Sequence, residues 1–184
     1  MKGAFVGLIA ALAVSYAQAP PQRVAMHTPP AVTVPATHIP QLMLTNLEKT
    51  FDFRLQAMDA KDPIDILGGT RGLYVEGFGT VFTSEISLIV TPGFFPMSPQ
   101  FTDQQKVAVR KRKLAHLPQL EDVMKELVNT AARTQVTLPD DQKVIYAVRL
   151  DYLSYEDTTG LPAQIVMSAD KKSATQGDIK TKVE

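Results

Sequence analysis

Apolar residues alternate along two stretches of the chain and recur at helical spacing along two others. From Tyr74 onward, Tyr74, Phe78, Phe82, Ile86, Leu88 and Val90 share one parity, interrupted by Glu76, Thr80 and Ser84. The other parity carries Val75, Gly77, Gly79, Val81, Thr83, Glu85, Ser87 and Ile89. Alternation with β-branched and aromatic enrichment predicts strand on both sides of the glycines. A second alternating run, Lys143 to Leu153, puts Val144, Tyr146, Val148, Leu150 and Tyr152 on one side, with Lys143, Arg149 and Asp151 on the other. That is a half-buried strand. Gln164 to Ala169 reads as a shorter strand returning through the loop "SYEDTTGLP", so the pair forms a hairpin.

Helical spacing appears first after "TNLE" at Thr45–Glu48, which reads as a capping box. Leu47, Phe51, Leu55 and Met58 then form one stripe, ended by Asp62-Pro63 and Gly68-Gly69. "TDQQ" at Thr102–Gln105 opens a second helix with another capping box. Val107, Leu114 and Leu117 line its first part, and Leu120, Met124, Leu127 and Ala131 its second, on a face turned away from the first. Pro118 lies between them, so a kink or break is expected at "HLPQL". Helix, two strands, kinked helix, two strands: this order predicts an α+β fold. The expected architecture is a two-layer sandwich whose mainly antiparallel four-stranded sheet is covered on one face by helices. The single domain should span residues 42–170, with 171–184 a polar tail that frays.

The front of the chain has a different character. "MKGAFVGLIAALAVSYAQAP" combines Lys2, an apolar run and small residues, the layout of a secretory signal peptide over residues 1–17. Cleavage is expected after Ala17, or after Ala19, where the following Pro20 is a poor partner for a protease that grips extended backbone. The apolar run is short for a membrane span, so none is expected once the leader is removed. Residues 18–41 form a proline-rich linker biased to polyproline II, and His27 and His38 stand isolated within it. A second Pro/Gly break, "TPGFFPMSPQF", carries Phe94, Phe95 and Phe101, expected to tuck under the sheet edge.

Charge and composition narrow the chemistry. The 19 basic and 19 acidic residues balance, which gives no global attraction to nucleic acid or anionic lipid. No cysteine is present, so there is neither a disulfide nor a thiol nucleophile, and with the leader this fits a bacterial periplasm or extracellular space. The G-x-G at Gly77 and Gly79 does not read as a nucleotide loop. Phe82 stands where a third glycine belongs, and strand rather than helix follows. The glycines are expected to make a hairpin turn or a bulge instead. His116 is the domain's own histidine, too little for a His-built metal site or triad, so no metal and no cofactor are expected. Glu76 and Glu85 are the candidate pair for carboxylate-based hydrolysis, since two acids can do acid–base work without histidine. "RKRK", residues 110–113, could bind an anion or a lipid headgroup. However, consecutive helical residues fan out, and cations suit the end of a helix before a break.

"GLYVEGFGTVFTSEISLIVTP", "RKRKLAHLPQLEDVM", "VIYAVRLDYLSYEDTTGLPAQIVMSADKK" and the leader together resemble a group of uncharacterised exported bacterial proteins. The resemblance spans nearly the whole domain and implies a bacterial origin and one continuous domain; it carries no activity or site residue. The function expected is a non-catalytic binding or assembly module of the bacterial cell envelope, with a periplasmic hydrolase and an anion binder as alternatives. Its partner would be an envelope protein or a second copy. The contact would be the uncovered sheet face, carrying Val75, Val81, Ile89, Arg149 and Asp151.

Overall fold

A computed structural model describes residues 38–90 and 102–184. The stretch expected to be a signal peptide, most of the proline-rich stretch, and the segment with Phe94, Phe95 and Phe101 lie outside the described residues. The elements run α1 (Gln41–Gln56), β1 (Asp65–Ile66), β2 (Arg71–Val75), β3 (Gly79–Ser87), α2 (Asp103–Thr134), β4 (Lys143–Leu150), β5 (Gln164–Asp170), α3 (Lys171–Gln176) and β6 (Lys180–Val183).

The fold is α+β, but the sheet is six-stranded and mixed, in the order β1-β3-β4-β5-β6 with β2 also on β3. The expected hairpins exist: β2 pairs antiparallel with β3, and β4 with β5. What joins them is a parallel pairing of β3 with β4, Gly79 opposite Lys143 through Ile86 opposite Leu150. This corrects the expected antiparallel centre. A helix between two strands carries the chain back the length of the sheet, so the second strand starts at the same end as the first.

The tail is a second correction. Residues 171–184 do not fray: Ala174 is fully buried and β6 pairs antiparallel with β5. Polar composition hid a short edge strand, whose side chains are all exposed while its backbone completes the sheet.

The helices also differ from expectation at their ends. α1 begins at Gln41 after Pro40, with no side-chain cap, so Thr45 lies inside the helix and "TNLE" is not its start. Its stripe is Leu44, Leu47, Phe51 and Leu55, all buried. α2 keeps the Thr102–Gln105 capping box, both halves of it formed. It then continues unbroken through Pro118 for 32 residues. Proline removes one backbone hydrogen bond, and packing on both sides of it outweighs that loss. Before Pro118 the buried residues are Val109, Lys113 and His116, not the expected Val107, Leu114 and Leu117; Val107 is 60% exposed.

All three helices contribute to one core on one face of the sheet. There Phe51 packs edge-on against Tyr146 and tilted against Phe82, with centroids 4.8 Å apart in each case. Phe82, Ile86, Val144, Tyr146, Val148, Ile165 and Met167 supply the sheet side, each at most 1% exposed. The predicted parities of both long strands are those of the core.

Candidate functional site

Among the described residues, the face of the sheet opposite the core carries no helix. Its centre is apolar and crosses the register: Leu73 opposite Val81, Val81 opposite Ile145, and Ala147 opposite Val166. Leu73 and Val75 are 53% and 41% exposed at the β2 end. Charges rim this patch as cross-strand pairs. Arg149 Nε lies 3.7 Å from Glu85, and Lys143 Nζ 3.0 Å from Asp170. A shallow cleft of about 360 Å³ opens beside Glu85 and Arg149, bordered by Gly68, Gly69, Arg71 and Gln164.

Of the residues expected on this face, Val75 and Arg149 are exposed and Val81 is half-buried on it. Asp151 is half-buried just past the end of β4, its N–H donating to Ile86. Ile89 is a correction. It is fully buried, because β3 ends at Ser87 and the alternation no longer applies beyond it.

Glu76 and Glu85 are not brought together. Glu76 sits in the β2–β3 turn and Glu85 six residues along β3 from Gly79, roughly 20 Å away at strand rise. Glu76 instead borders a separate cleft of about 450 Å³ between the start of α1 and the outer edge of β2, with His38, Leu44 and Tyr74. Two carboxylates that far apart cannot flank one bond.

The basic stretch is consumed by the fold. Arg110 Nε donates to the Thr159 carbonyl at 2.7 Å and its guanidinium lies 3.6 Å from Asp157. Arg112 Nε donates to Asp62 at 2.9 Å. Lys113, fully buried, donates to Glu156 at 2.5 Å and lies 4.8 Å from the Tyr152 ring centroid. Lys111 and Arg112 are exposed while Lys113 is buried, and three of the four cations are already engaged, so they present no common patch. The Arg112 hydrogen bond holds the Asp62 carboxyl below its ordinary value, and Asp62 in turn raises Arg112. Burial, with Glu156 adding to it, pushes the Tyr152 phenol up to about 12.

His116 is a core histidine. Its Nδ1 lies 2.6 Å from the Leu88 carbonyl, which makes that nitrogen the donor and leaves Nε2 facing Asp62 at 3.5 Å and Asp59 at 3.8 Å. Asp59 is held below the ordinary carboxylate value, first by the N–H groups of Lys61 and Asp62 that one of its oxygens accepts. Among the described residues no group of three or more His, Asp or Glu side chains is set to hold a metal ion.

A polar network that the sequence reading missed runs through the core. Asp52 Oδ1 accepts from both the N–H and the hydroxyl of Thr70, each at 2.7 Å. Because the Thr70 proton is committed to the carboxylate, Ser84 must donate to Thr70 (2.8 Å) and Tyr146 to Ser84 (2.9 Å). Burial raises the Tyr146 phenol far above its ordinary value, so it stays a donor. Four residues on α1, β3, β4 and the approach to β2 are thereby oriented in one direction. The signal was present: Ser84 interrupts the apolar parity of β3, and it is buried.

No protein-family model, curated protein or solved structure matches this chain. No described helix is long and apolar enough to cross a membrane.

Proposed function

We propose that this protein is a non-catalytic binding or assembly module of the bacterial cell envelope, exported by its leader, and that it works through the open face of its sheet. The observation that carries the reading is the apolar patch formed by Leu73, Val81, Ile145, Ala147 and Val166 across four adjacent strands. Contiguous apolar surface rimmed by charge marks protein contacts. Glu85 with Arg149 and Lys143 with Asp170 offset one another around it, so the face suits a counterpart of little net charge, including the same face of a second copy related by a two-fold axis. The likeness to exported bacterial proteins supports the location, and the separation of Glu76 from Glu85 weighs against carboxylate catalysis. An anion site at 110–113 would have to compete with the contacts that Arg110, Arg112 and Lys113 already make.

Light scattering and pull-down from envelope extracts test the reading together. The wild-type chain is expected to self-associate or to retain a specific envelope protein, and Val81→Asp or Ile145→Asp to abolish this while leaving thermal unfolding cooperative. A strict monomer that captures no specific partner, with the variants indistinguishable from wild type, would overturn it.

A further inference from the structure

We infer that residues 103–117 of α2 form an arm latched by charge over the carboxyl ends of β3 and β4, and that this arm opens at Pro118 while residues 119–134 stay packed. The two halves of the helix are held by different forces. After Pro118, Leu120, Met124, Leu127, Val128, Ala131 and Ala132 are all fully buried against the core. Before it, among the described residues, the buried apolar residue is Val109, with Leu117 partly buried against the core, and the other buried positions are Lys113 and His116. The polar contacts upstream, among the described residues, come mostly from loops: Arg112 to Asp62 on one side, Lys113 to Glu156 and Arg110 to Thr159 on the other, His116 to Leu88 beneath. Pro118 has no N–H to give the Leu114 carbonyl, so the helical ladder is missing a rung where the chemistry changes.

These facts set the energetics. Apolar packing after Pro118 is lost only by exposing the core. Ion pairs before it exchange for water when the arm lifts, and the desolvation cost of burying Lys113 and Glu156 is recovered in the same movement. Opening would bare Tyr152, now under the Lys113 ammonium, at the end where β3 and β4 both finish. The arm therefore governs access of solvent and ligands to that end of the one parallel pair among the described strands.

Hydrogen–deuterium exchange on the intact chain tests this. Amides of residues 106–117 are expected to exchange about tenfold or more faster than those of 121–134, with a step at Pro118, as separate opening units do. Asp62→Asn and Glu156→Gln should accelerate the upstream block further and leave the downstream block unchanged. Pro118→Ala should restore the rung and bring the upstream rate toward the downstream one. A smooth gradient from Asp103, equal protection on both sides, or variants that move both halves together would each overturn the arm. If Glu156→Gln unfolds the whole domain, Arg112→Gln at the exposed pair gives the same reading, and an equal shift in both halves there counts against it.

Discussion

Gly77 and Gly79 stand two residues apart for two different reasons. Gly77 has φ 73° in the turn closed by the Phe78 N–H to the Val75 carbonyl at 3.0 Å, and a side chain there would meet nothing. Gly79 has φ 135°, and a Cβ on it would lie 2.0 Å from the Lys143 carbonyl oxygen. The first glycine answers to local backbone, the second to the parallel neighbour. Gly77→Ala should therefore cost about 1–2 kcal/mol, the left-handed penalty alone. For Gly79→Ala a loss of about 4 kcal/mol or more is expected, because strand β4 must shift. Urea denaturation of the two variants checks the ranking, and equal losses would count against it. Asp62 gives a pH prediction. Its folded value is depressed by Arg112, so the stability it adds is present above the unfolded value near 4 and is lost as pH falls through the lower folded value. Wild type should lose stability faster than Asp62→Asn as pH falls below about 4, read from urea midpoints at each pH.

At the scale of elements, α1 is fastened to the sheet by more than its apolar stripe. Glu48 Oε1 accepts from the Gly72 N–H at 2.8 Å, and Asp52, one turn on, accepts from Thr70. The two carboxylates take the place of a neighbouring strand's carbonyls along the outer edge of β2. This blunts an edge that would otherwise invite strand addition. Asp52→Ala is expected to cost about 3 kcal/mol, since it also removes the acceptor that orders Thr70, Ser84 and Tyr146. Glu48→Ala, which leaves that chain intact, should cost about 1 kcal/mol. Thermal unfolding of both variants decides it, and a larger loss at Glu48 would refute the ordering.

For the whole molecule, the C-terminal fourteen residues are tied to the rest of the domain by strand pairing and by side chains of α2 and α3. Asn129 donates to the Ala174 carbonyl at 2.6 Å, Arg133 to the Thr175 carbonyl at 3.0 Å, and Lys171 to the Leu138 carbonyl at 2.5 Å. Truncation after Asp170 would expose Ala169, Met167 and the α2 surface under Ala174. It is expected to lower the melting temperature by about 10 °C or more, measured by circular dichroism. A truncated chain with the wild-type melting temperature would show that the tail is dispensable.

Local physics made much of this protein legible. The parities of β3 and β4, the Thr102 capping box, the stripe after Pro118 and the turn at Gly77 all follow from neighbours within a few residues. Tertiary structure decided the rest. Whether two hairpins meet parallel or antiparallel depends on where a long helix returns the chain. A polar tail becomes an edge strand only when β5 offers it a ladder, and a proline stays within a helix only when both flanks are held. The partners of Arg110, Arg112 and Lys113 lie 43 to 50 positions away, so nothing in their own neighbourhood could name them. The Asp52 network was hidden for the same reason: its members are 14 to 62 positions apart, and burial alone, which sequence periodicity reads, does not say which polar side chains will meet.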